Sequence, residues 1–263
     1  MASSNLLSRA LFLLLPTHAI SATDTYFNFD FFKQNDADTN RLILQRDATI
    51  SSGGRLRLTG VGSNEDPWVD SMGRAFYSDP IQIRDSTGNL ASFHTNFTFI
   101  IRANNAGHSA YGLAFALFPV GSQPKRKREN LGLFPDAHTV AVFNTVSNVM
   151  KSTSTPTRLA QRGFAISTNH NGETTDVQIT YESPKKNLKI VLPSTNSNVQ
   201  YDFNAPLYLE NEVDRNVSVG FSATSGLTEE TTETHDILSW SFSSEFPDHT
   251  TSEPSNILLN NIL

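Results

Sequence analysis

Aromatic and polar residues alternate along Tyr26-Phe27-Asn28-Phe29-Asp30-Phe31, and a period of two recurs through most of the chain. A strand turns successive side chains to opposite faces, so this alternation predicts strands with one face on a core and one in water. Leu42-Ile43-Leu44-Gln45 and Leu56-Arg57-Leu58-Thr59 continue it. Phe76 to Ile83 reads as a single strand, with Pro80 marking an edge or bulge because proline gives no N–H to a ladder. Ala91 to Arg102 places Phe93, Phe97 and Phe99 on one face. Leu113 to Phe118 is an unbroken apolar run, as a strand covered on both faces requires, and Val140-Ala141-Val142-Phe143 is similar. Val177 to Tyr181, Leu188 to Leu192, Leu207 to Leu209, Val217 to Ser222 and Ile237 to Phe242 complete the set. About a dozen strands with Gly, Asn and Asp turns between them predict an all-β protein, a sandwich or jelly roll of antiparallel sheets. No internal repeat or linker divides residues 22–246, which are expected to form one domain. The pattern fails from Met150 to Leu159, a polar, Thr-rich stretch broken by Pro156.

Composition agrees with that class. The 263 residues include 18 Phe, ample for a β core, and only 17% are charged. Cysteine is absent, so neither disulfides nor thiol chemistry contribute, and stability rests on burial. The net charge of −6 creates no field that favours nucleic acid or an anionic membrane. Residues 1–21 read as a signal peptide: Arg9 supplies the positive flank, Ala10 to Leu15 the apolar run, and Ala19-Ile20-Ser21 the small-residue cleavage site. No apolar run approaches the roughly 20 residues that cross a bilayer as a helix. The expected destination is therefore the secretory pathway, in a storage vacuole or outside the cell. Residues 247–263 are expected to be a mobile or processed tail.

Few motifs carry chemistry. GxSxG, P-loop and HExxH patterns are missing, and no catalytic residues are expected. His235-Asp236 with Glu233 lacks an activated Ser or Cys context and reads as structural, while Glu229, Glu230 and Glu233 read as a solvated loop face. Lys125-Arg126-Lys127-Arg128 reads as an exposed loop in an acidic chain. Asn96-Phe97-Thr98 is an N-glycosylation sequon that the signal peptide would expose to the machinery. Asn216-Val217-Ser218 is a second, expected to be poorly accessible because a strand begins there.

Arg74-Ala75-Phe76-Tyr77-Ser78, Ala91-Ser92-Phe93, Gly112 to Leu117, Leu131-Gly132-Leu133-Phe134, Val217 to Thr224 and Leu238-Ser239-Trp240-Ser241-Phe242 together resemble the legume lectins, in family order across essentially the whole mature chain. Ser225 to Asp236 looks most like the arcelin branch, whose relatives are phytohaemagglutinin and the bean α-amylase inhibitors. The resemblance implies a jelly-roll sandwich, complex glycans or glycoproteins as partners, and homo-oligomers. It also implies a Ca²⁺ and Mn²⁺ pair beside a shallow sugar pocket, held by carboxylates, an Asn and a His.

The residues at those positions are wrong for the pair. The family's Glu-Phe-Asp-Thr reads Val142-Phe143-Asn144-Thr145, which loses two carboxylates. Asn148 matches the family's Asn ligand, but Val149 to Pro156 supplies neither carboxylate nor His. The Asp that accepts hydrogen bonds from sugar hydroxyls is replaced by Tyr111, an aromatic expected to fill the hole before Gly112. Arg128-Glu129-Asn130 replaces the family's Gly-rich approach loop. Tyr111, Gly112, Glu129 and Asn148 are thus expected to be inactive remnants of a sugar site. Asn144 and Asn148 are vestigial metal positions, with no cofactor bound. The family also carries Trp where Asn216 stands. The stretch between Asn148 and Asn171 departs even from arcelins, as a small deletion near Val142 with a shifted frame would cause.

The function implied is an arcelin-like seed defence and storage protein on a lectin scaffold. Two alternatives are a lectin of altered glycan specificity and an α-amylase inhibitor. The inhibitors shorten the loop after Pro119-Val120, which here runs long from Gly121 to Phe134. They are also cleaved after an Asn where this chain has His108, and their Tyr-bearing loop is Leu227-Thr228-Glu229-Glu230 here.

Overall fold

The structure, a computed structural model, describes residues 24–105, 110–124, 131–133, 138–145, 171–192 and 201–247. Fourteen strands occur among the described residues. They are β1 (Thr25–Phe29), β2 (Leu42–Arg46), β3 (Thr49–Ile50), β4 (Leu56–Arg57), β5 (Met72–Tyr77), β6 (Ile81–Gln82) and β7 (Ser92–Ala103). Then follow β8 (Gly112–Pro119), β9 (Val140–Asn144), β10 (Thr174–Glu182), β11 (Asn187–Leu192), β12 (Tyr201–Pro206), β13 (Asn216–Thr224) and β14 (Glu233–Glu245). An eight-stranded sheet runs β12-β11-β10-β7-β14-β4-β3, with β1 also beside β14. A six-stranded sheet runs β2-β5-β13-β8-β9, with β6 on β13. Every pairing is antiparallel, as the sandwich reading requires.

The inner faces meet in one apolar core. On β7 the inward set is Phe93, Thr95, Phe97, Phe99 and Ile101, while Ser92, His94, Asn96 and Thr98 point outward. Trp240 sits at the centre, with ring centroids 4.7 Å from Phe27 and 4.9 Å from Phe221. Its indole N–H donates to Thr95 Oγ1 at 3.1 Å, so the one polar atom of the ring is satisfied inside the core. Gly220 is dictated by close approach: a Cβ there would lie 2.0 Å from the Ala75 carbonyl oxygen.

A second cluster lies on the other face of the six-stranded sheet. Phe76, Ala114, Ala116, Phe118, Leu131, Leu133 and Ala141 form it, with Tyr111 packed against it. This layer is why Leu113 to Phe118 is apolar at every position: odd residues face the main core and even ones this cover. The Arg74 guanidinium enters the same layer, 4.9 Å over the Phe118 ring.

The strand boundaries differ from the sequence reading in three places. Phe76 to Ile83 is two strands, β5 and β6, because the chain leaves the ladder around Pro80. Leu207 to Leu209 is not a strand; Leu207 and Leu209 are buried as the chain enters a 3-10 turn at Leu209–Asn211. The strand lies just before it, in β12, where Tyr201, Phe203 and Ala205 alternate in sequence with Asp202, Asn204 and Pro206.

Candidate functional site

The segment entering β8 is built from backbone demands. Gly112 adopts φ +93°, a conformation open to glycine at little cost. Tyr111 just before it is half-buried against the outer cluster. Leu131 and Gly132 both turn with positive φ, +49° and +64°, and the Leu131 carbonyl accepts a hydrogen bond from Ser222 Oγ. This fixes the short loop down onto β13. From the other side Thr145 clamps β8: Leu113 N–H donates to its Oγ1 at 2.9 Å, and its own N–H donates to the Leu113 carbonyl at 2.9 Å.

A buried polar chain holds the segment from beneath. Ala110 N–H donates to Glu233 Oε2 at 2.9 Å, and Glu233 Oε1 lies 3.0 Å from His235 Nε2. His235 Nδ1 then meets Thr59 Oγ1 at 3.2 Å. Glu233 is 2% exposed and His235 is 0% exposed. This corrects the sequence reading of Glu233 as part of a solvated face. Glu229 and Glu230 are exposed, but β14 has begun at Glu233, and five consecutive residues from there to Ile237 are buried. There β4 and the Leu58 amide pair with one edge of β14 and β7 with the other. Asp236 faces Arg57 at 2.9 Å and Arg55 at 3.4 Å. Burial disfavours the charged Arg57 guanidinium, yet Glu65 and Asp236 outweigh it and raise its pKa above the usual arginine range. The Glu233–His235–Asp236 trio therefore ties elements together, and the hydroxyl on this polar chain, Thr59 Oγ1, is fully buried, out of reach of a substrate.

The expected remnants are only partly placed. Tyr111 and Gly112 adjoin, as their neighbouring numbers require. Glu129, Asn148, His108 and the basic stretch 125–128 lie outside the described residues, as do 1–23, 149–170 and 248–263. For Asn144 the strand backbone is described, paired with Ala114 in β9. Val142, at the position of a family carboxylate, is 0% exposed in the main core. Among the described residues no group of three or more His, Cys, Asp or Glu side chains is placed to hold a metal ion.

The sequon at Asn216 differs from expectation in its exposure. Asn96 is in the middle of β7, between Gln178 and Ser241 on the outer face of the larger sheet. Asn216, expected to be poorly accessible, is exposed, because it opens β13 beside Gln82 where the sheet is only beginning; Ser218 of the same sequon is buried.

A family model described as legume lectin domain matches residues 24–149 and 143–257, two segments that overlap at 143–149, just before the stretch where the strand pattern fails. Arcelin-5A of Phaseolus vulgaris is 59% identical over 270 residues, covering 100% of both chains. Leucoagglutinating phytohemagglutinin of the same plant is 45% identical over 284 residues, again covering 100% of both. Among solved structures, arcelin-5, a lectin-like defense protein from Phaseolus vulgaris, matches at TM-score 0.76 and 57% identity, covering 86% of this chain and 100% of that one. Basic winged bean lectin with Tn-antigen matches at TM-score 0.69 and 33% identity, over 86% of this chain and 100% of that one.

Proposed function

The chain belongs to the legume lectin family, and from that membership we propose that it is an arcelin-like seed defence and storage protein whose scaffold carries no metal-dependent monosaccharide site. The observation that carries this reading is Tyr111. A half-buried phenol ring, packed on the outer cluster, stands where a carboxylate would have to face a sugar hydroxyl. The metal positions support the same reading. A Ca²⁺ and Mn²⁺ pair needs anionic oxygen donors, and the core-buried Val142 and the amides of Asn144 and Asn148 do not fit it. Residues 1–21 direct the chain into the secretory pathway, toward a storage vacuole or the cell exterior, and Asn96 carries an N-linked glycan. The protein acts by being present and durable rather than by catalysis.

The test is a glycan array probed with and without Ca²⁺ and Mn²⁺, paired with an α-amylase inhibition assay. The expected result is no metal-dependent signal and no inhibition. Calcium-dependent sugar binding overturns the reading of the site, and tight amylase inhibition replaces the proposed role with an inhibitory one.

A further inference from the structure

The outer face of the eight-stranded sheet carries a cleft of about 590 Å³, on the opposite side of the molecule's core from Tyr111. Its floor follows from the strand register. One cross-strand row runs Tyr26, Ser243, His94, Thr180 over β1, β14, β7 and β10. The serines of β14 are short, so the middle of the row is low, while Tyr26 rises at its end with 72% of its surface exposed. His94 Nδ1 is tied to Thr180 Oγ1 at 2.9 Å, which orients the ring, and its Nε2 has no protein partner among the described residues. Asp24, Ser92, Glu182, Pro184, Lys185 and Glu245 stand around this row.

This lining has a definite chemistry. An exposed aromatic ring offers a flat apolar platform, and hydroxyls, an imidazole, three carboxylates and one ammonium surround it. Lys185 pairs with Glu182 at 3.0 Å, which leaves Asp24 and Glu245 to accept hydrogen bonds from hydroxyl groups and to disfavour anions, so the matching ligand is a neutral polyol such as a pyranose ring. The next row on the same face runs Asn28, Ser241, Asn96, Gln178. Asn96 is therefore two residues from His94 along β7, about 6.8 Å away on the same face. Its Oδ1 is buried without a partner among protein groups. A sugar chain attached at Asn96 emerges beside this cleft, and the tether keeps its local concentration high.

We infer that the cleft holds the chain's own Asn96-linked glycan, laid across the outer face of the sheet with a sugar ring on Tyr26. This rests on the reading of Asn96 as glycosylated. The glycan becomes part of the folded surface: it covers the exposed tyrosine and the serine floor, and it is itself shielded from glycosidases.

The experiment uses the full chain expressed in a secretory host with Asn216→Gln, so that Asn96 is the single sequon. Intact mass first reports whether Asn96 is modified; an unmodified chain overturns the glycosylation reading and this inference together. An endoglycosidase is then applied to native and to denatured protein, with Tyr26→Ala and His94→Ala compared with the parent after thermal melts confirm folding. The expected result is slow release from the native parent, release about tenfold faster from native Tyr26→Ala, a change equivalent to roughly 1.4 kcal/mol of lost contact, and rapid release from all denatured samples. Equal native rates in parent and Tyr26→Ala, whether both fast or both slow, overturn the inference while leaving the glycosylation reading intact.

Discussion

Replacing Glu233 with alanine tests whether the buried polar chain holds the segment that leads into β8. The carboxylate accepts from Ala110 N–H at 2.9 Å and meets His235 Nε2 at 3.0 Å. With His235 fully buried and Glu233 nearly so, water has no ready path to replace the lost oxygens. Each buried polar group left without a partner costs about 1–3 kcal/mol. Ala110 is only half-buried, so its amide recovers part of that loss from solvent. Glu233→Ala is therefore expected to destabilise the fold by about 2–4 kcal/mol, counting His235 in full and Ala110 in part. Glu233→Gln keeps the shape and one acceptor and should cost about 1–2 kcal/mol. Glu230→Ala, on the exposed turn three residues earlier, should stay within about 0.5 kcal/mol of the parent. Urea denaturation gives the three values, and hydrogen exchange gives their location: the Ala110 amide should exchange faster in Glu233→Ala while amides in the middle of β7 keep their relative protection. If Glu233→Ala and Glu230→Ala have the same midpoint, the chain of hydrogen bonds from Ala110 to Thr59 carries no stability and the argument is wrong.

Other consequences are as direct. Trp240→Phe removes the donor to Thr95 Oγ1 and part of a ring that touches Phe27 and Phe221, and should cost about 2–4 kcal/mol in the same denaturation assay. Gly220→Ala forces a Cβ against the Ala75 carbonyl and should lower stability by at least about 1–3 kcal/mol, whereas Gly88→Ala, with open space around it, should lose only what its positive φ imposes. Burial works against the Asp85 carboxylate, but hydrogen bonds from Thr87 and Asn89 outweigh it and bring its pKa from 3.8 down to about 2. A depressed pKa means that this stabilisation is present above the ordinary value and is lost as pH falls. The melting-temperature gap between the parent and Asp85→Ala should therefore be level above pH 3.8 and narrow toward pH 2, and a constant gap through that window contradicts it. Tyr111→Asp should not by itself confer Ca²⁺-dependent sugar binding on an array, since Val142 and Asn144 still lack the anionic oxygens a metal pair requires.

The parts of this fold that were legible in the sequence are those where one residue's surroundings follow from its neighbours. Phe97 and Phe99 announce an inward face by spacing alone, and the unbroken run of β8 announces a strand covered twice. What escaped depends on partners distant in sequence. Glu233 looks like the glutamates before it, and only the fold, which brings Ala110 N–H from 123 positions away onto its carboxylate, turns it into a buried acceptor. Tyr201 to Pro206 gives a weaker signal because only three of its six residues are apolar, whereas all three of the Leu207–Leu209 plug beside it are. At the site, Tyr111 and Val142 could be read by matching one position at a time. The cleft under Tyr26 could not, because serines and threonines on a sheet's outer face are common, and their meeting in one row is a property of register.

The second apolar layer, over the smaller sheet, also bears on how reversible the protein's history is. Tyr111 leans on the same cluster as Leu131, Phe118 and Leu133, so a single change back to an acidic residue there would set a charge against hydrocarbon and expose what the ring had sheltered. Each residue that later improves the packing of that layer makes the backward step more costly. A ring packed into an apolar cover in this way behaves as a ratchet: substitutions that thicken the cover are tolerated easily, and placing a carboxylate there requires several coordinated substitutions rather than one.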